Sequence, residues 1–186
     1  MSDTILREQV AGERRRLKAV RNALSVALEK GAQGSPGFVP FYLAEGDYIE
    51  AAMNRLHAQD VRMGEMIRAK LGTPDAGQEE ALREIDGRLA ANQRHLRELV
   101  AARDALRKEG AAALGRFERA ARDYTAFITA NMGHHGPVTE LAQRLFSSDD
   151  WARMAGVTEA EMQRERELHE RVFAALPAGV QAAAGG

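Results

Sequence analysis

The sequence predicts an all-α fold, an antiparallel up-and-down helical bundle with additional short C-terminal helices. Ala, Leu, Arg and Glu dominate it, and all four are strong helix formers. Apolar residues recur at three- and four-residue spacing over long stretches, the period of a helix with one buried face. Short runs rich in Gly and Pro separate those stretches, and short turns between long amphipathic helices favour antiparallel neighbours. The 186 residues read as one helical domain: an N-terminal helix over 1–31, a loop over 32–39, a main bundle over 40–176 and a flexible tail over 177–186.

The first helix starts after Asp3 or Thr4, either of which can cap it, and carries Leu6, Val10, Leu17, Val20, Leu24 and Leu28 on one face. The basic run Arg14-Arg15-Arg16-Leu17-Lys18 reads as a solvated face of this helix. Gly31 to Gly37 is loop by composition. The second helix runs from Pro40 to Leu71 with Ile49, Met53, Leu56, Met63, Ile67 and Leu71 on its apolar stripe. The methionines Met53, Met63 and Met66 read as core filler.

The third segment is the most regular. Leu82, Ile85, Leu89, Leu96, Leu99 and Leu106 alternate by three and four, and the register continues through Phe117, Tyr124 and Asn131. One uninterrupted helix of that length would extend ~75 Å at 1.5 Å per residue. Glycine weakens a helix interior, so a break at Lys108-Glu109-Gly110 is favoured. After Gly133 to Pro137, a short helix carries Val138, Leu141, Leu145 and Phe146. Ser148 is read as the cap of another. Thr158 to Glu161 forms a capping box that opens the last helix, with Met162, His169, Val172, Phe173 and Leu176 on its apolar side.

Composition removes several function classes. There is no cysteine, which excludes disulfides, thiolate catalysis and zinc–thiolate sites. The 26 basic and 27 acidic residues give no basic excess, so no nucleic-acid partner is expected. No apolar run reaches the ~20 residues that span a bilayer, and no leader pattern follows the first Met, so a cytoplasmic protein without a membrane partner is expected. No phosphate loop or nucleophile elbow is present.

What remains is a set of polar residues where the pattern calls for apolar ones. Glu165 and His169, four apart, fall in the stripe of Met162, Val172 and Leu176. Asp60 falls in the stripe of Leu56 and Met63, with His57 at its edge and Glu45 and Tyr42 further along. Asn92, Tyr124 and Asn131 occupy core positions of the third segment, with His95 at the edge. Burying such groups costs free energy unless they are paired or bound to a metal. Carboxylates and imidazoles converging from several helices are how bundles bind iron or manganese.

On His57, His95, His134, Glu165 and His169 the chain resembles the hemerythrin-like bundles, over roughly residues 40–176. That family places a His-x-x-x-Glu pair and a His-x-x-x-His pair on successive helices; here Glu165-x-x-x-His169 stands in the reverse order. The resemblance implies iron, or another divalent transition metal, with a sensing or redox role. The expected metal residues are His57, Asp60, His95, His134, His135, Glu165 and His169.

Other readings of the same residues stay open. Glu165 can pair with an arginine from another helix, and Asp60 with Arg103. The His134-His135 pair can be a simple loop or cap. Asp47, Tyr48 and Glu50 can line a small-molecule pocket. Two metal-free functions are then expected as alternatives. One is an interaction module, in which the Leu82–Asn131 heptads pair with a second copy or another protein. The other is a helical regulator that binds a small ligand between helices, with no cofactor.

Overall fold

The computed structural model describes residues 3–131 and 136–181, the side chains of 3–10, 178 and 181 aside. It is all-α, with no strand among the described residues. Four long helices come first: α1 (Asp3–Lys30), α2 (Val39–Leu71), α3 (Ala76–Glu109) and α4 (Leu114–Asn131). Four short ones follow: α5 (Gly136–Leu145), α6 (Ser148–Ala155), α7 (Glu159–Ala174) and α8 (Ala178–Gln181). No helix among the described residues is long and apolar enough to cross a membrane.

Local chemistry sets the boundaries. Asp75 opens α3 through a reciprocal capping box with Gln78, each side chain bonding the other residue's N–H at 2.9 Å. Thr158 and Glu161 form the expected box at the start of α7. The cap of α6 is Ser147 rather than Ser148, because the carboxylate that closes the box comes from Asp150, three residues on from Ser147. Asp150 also receives Lys70 at 2.7 Å, which fastens α6 to the end of α2. The bonds from Lys70 and Ser147 hold its carboxyl well below the usual carboxylate range.

The heptad run from Leu82 to Asn131 is two helices. Gly110 takes φ +61°, a left-handed conformation that suits glycine, and its N–H bonds the Leu106 carbonyl as α3 ends. One 3-10 turn over Gly110–Ala113 then sends α4 back along α3. The stripe is thus spent within the chain. Leu96, Leu99 and Leu106 of α3 share a buried core with Leu114, Phe117 and Tyr124 of α4.

Helices α2 and α3 run antiparallel, with Arg68 on Asp86 at one end and Arg107 on Asp47 at the other. Arg103 crosses between them. Its guanidinium reaches Asp47 at 3.0 Å, Asp104 at 2.9 Å and Glu50. Its carboxylates are these three, and the expected Asp60 partnership does not form, because the register sets Arg103 opposite the first turns of α2. Gly46 leaves room for the stem of Arg103. A Cβ at that position would lie 2.8 Å from Arg103 Cδ and 2.9 Å from Cγ.

Two hydrophobic cores result. The main one joins α1, the first half of α2, the second half of α3, and α4, with Leu168 and Val172 of α7. Val180 of α8 is fully buried in it, so the tail expected from residue 177 begins as a docked turn. The second core lies at the far end of the α2–α3 pair, where Met63, Ile67, Leu82 and Ile85 meet Val138, Leu141 and Phe146. Between the two cores, no residue of 54–62 or 86–95 is buried. That gap positions the site.

Candidate functional site

A cavity of about 420 Å³ occupies the gap. Its wall takes Leu17 and Arg21 from α1, Met53 to Met63 from α2, and Ile85 to Asn92 from α3. Phe127, Ile128 and Asn131 come from α4, Thr139 from α5, and Trp151, Met154 and Ala155 from α6. The wall is predominantly apolar, and its volume falls within the ~300–1,000 Å³ of small-molecule sites. Leu56, Leu89, Phe127, Ile128, Trp151 and Met154 are only half-buried, because each turns a face to this space. Helix α6 is tied over it from α2. Gln59 donates to the Ala155 carbonyl at 3.1 Å, and Arg62 donates to the carbonyls of Arg153, Met154 and Gly156 at 3.0–3.2 Å.

Arg21 and Asn92 each bring an unpartnered polar atom to the wall. Arg21 Nε and Asn92 Oδ1 are buried and make no hydrogen bond. The hydrogen bond Arg21 does make runs from Nη2 to the Met53 thioether, 3.2 Å away, a weak acceptor. Arg21 also lies beside the Tyr124 hydroxyl, whose pKa burial pushes up to about 12 against the opposing pull of that charge. An unpaired donor and an unpaired acceptor facing one cavity are what a bound polar molecule would satisfy.

The charge of Arg55 on the wall is saturated. Arg55 grips Glu165 with Nε and Nη2, the latter at 3.1 Å, and reaches Glu13 through Nη1 at 3.1 Å. All three side chains are less than a tenth exposed. Burial alone would lower the pKa of Arg55, but the bonds to Glu165 and the charge of Glu13 outweigh it and hold the guanidinium ionised. This triad joins α1, α2 and α7, and it is the arginine pairing that the sequence left open for Glu165.

No three of the described residues expected to ligate a metal form a cluster. The His169 ring packs on Phe173, with centroids 4.7 Å apart, and edge-on to Tyr48 at 6.0 Å. Burial first, and then the charge of Arg16, lower its pKa despite Glu170, so it is neutral at pH 7. His95 stacks on Phe127 at 4.5 Å and lies 3.7 Å from Glu98. His57 is half-buried, with a buried Nδ1 that makes no hydrogen bond. Asp60 lines the cavity. His134 and His135 lie outside the described residues. Among the described residues no group of three or more His, Asp or Glu side chains could hold a metal ion. Asp47 and Glu50 serve Arg103, Tyr48 is fully buried, and none of the three lines this cavity.

No protein family, no curated protein and no solved structure matches this chain. The site is therefore read from its own residues. Three of the polar residues found on apolar stripes, Asp60, Asn92 and Asn131, all face the cavity. Glu13 and Arg21 escaped the sequence reading although the same signal marks them. Glu13 falls between Val10 and Leu17, and Arg21 between Leu17 and Leu24, at three- and four-residue spacing. Arg55 lies off the stripe of its helix and carried no such signal.

Proposed function

We propose that this bundle binds a small molecule in the cavity between its two cores, in keeping with a helical regulator rather than a metal carrier. The observation that supports the reading most is the pairing of a predominantly apolar wall with two unsatisfied polar groups, Arg21 Nε and Asn92 Oδ1. Such a site gives affinity through apolar burial and orientation through few polar contacts. The heptad leucines Leu96, Leu99 and Leu106 are spent in the chain's own core, which favours this reading over a pairing module.

Trp151 is the one tryptophan of the chain and faces the cavity, so its fluorescence reports occupancy. Titration with decanol, a neutral apolar probe, is expected to change Trp151 emission saturably. It should also raise the unfolding midpoint, by about 2.7 kcal/mol of stabilisation at a hundredfold excess over Kd. Ala155→Phe, which fills the cavity from α6, should abolish both effects while helix content is kept. A wild-type protein that shows neither, yet is purified with iron that Glu165→Ala removes, would point to the metal reading instead.

A further inference from the structure

We infer that the cavity selects an anionic amphiphile, a carboxylate on an apolar body, with Arg21 as the anchor of the carboxylate; this rests on the ligand reading above.

The partly buried arginines differ in their partners. Arg55 is neutralised by Glu13 and Glu165, and Arg103 by Asp47, Glu50 and Asp104. Arg21 has no ion pair with a carboxylate among the described residues. It meets a thioether and a neutral phenol. A part-buried guanidinium with a buried, unbonded Nε–H and no counter-ion is costly, and leucine or methionine would fit the same stripe position between Leu17 and Leu24 without that cost. The wall carboxylates do not meet the need. Glu13 is held by Arg55, and Asp60 is itself engaged.

A guanidinium matches a carboxylate with two parallel N–H donors, and here Nε is one donor left over. Arg14, exposed at the same wall, adds positive potential at the mouth. The apolar body would lie along Leu56, Leu89, Ile128 and Met154. Methionine and aliphatic walls of this kind adapt to flexible chains. Asn92 Oδ1 remains to accept from any donor the ligand carries.

The test compares decanoate with decanol, the same chain with and without the charge, by Trp151 fluorescence at pH 7 and below micellar concentrations. Decanoate is expected to bind about tenfold or more tightly than decanol, the worth of a charge-assisted hydrogen bond. Arg21→Met keeps the stem and removes the charge. It should erase the preference, weakening decanoate far more than decanol. Arg21→Lys should retain most of the preference and shows that the Met variant's loss is one of charge. Equal affinity for the two probes in the wild type, or a preference that survives Arg21→Met, would overturn the anion assignment and leave the cavity reading standing. Binding of neither probe to the wild type would overturn both.

Discussion

Arg55→Met is expected to lower the stability of the fold by about 3–5 kcal/mol, the cost of leaving buried charge without its partner. The magnitude follows from where Arg55 sits. Glu13 and Glu165 come from α1 and α7, are each less than a tenth exposed, and converge on this one guanidinium. Removing it leaves two desolvated carboxylates facing each other across three helices. Urea denaturation of wild type and variant measures the effect as a shift in midpoint at similar slope. The triple variant Arg55→Met, Glu13→Leu, Glu165→Met should recover most of the loss, because a buried ion cluster can often be exchanged for apolar residues at little net cost. A loss under 1 kcal/mol in the single variant would mean that the triad is hydrated and does not join the helices.

Glu45→Met is expected to act in the opposite direction, stabilising the protein by about 1–3 kcal/mol at pH 7. Glu45 has no exposed surface, and neither carboxyl oxygen makes a hydrogen bond. Burial pushes its pKa well above the ordinary 4.5, which favours the neutral carboxyl in the folded chain. Its folded pKa is raised, so its contribution is fully present below the unfolded pKa. That contribution is lost as pH rises from there through the folded value. Wild-type stability should therefore fall from about pH 4.5 upward relative to Glu45→Met, and the advantage of the variant should grow as pH rises from there through the folded pKa. Stability curves of the two proteins at four pH values measure this. A constant difference across that range would mean that Glu45 is ionised and paired in the folded state.

Helix period made most of the fold legible in the sequence. The stripes on α1 to α4, the turn signals and the Thr158 box all follow from local rules that hold whatever the tertiary packing. The break at Gly110 was legible because glycine weakens a helix interior, and the residue there takes positive φ. The site was half legible. Asp60, Asn92 and Asn131 stood out as polar residues on apolar faces, and they mark the gap between the cores. What those groups do was not legible. Whether a buried carboxylate meets an arginine or a metal depends on which helices bring their side chains together, and Arg55 reaches Glu165 from 110 residues away. The same periodicity gave equal standing to Glu165, which serves a structural triad, and to Asp60, which faces the cavity.

The most direct test of the cavity reading is methyl NMR of the methionines during titration with decanoate. Met53, Met63 and Met154 line the cavity, whereas Met66 and Met162 do not. The cavity reading predicts saturable shifts of the first three methyl resonances, with a common Kd, while Met66 and Met162 stay in place. Shifts that are absent, or that fall equally on all five, would contradict it.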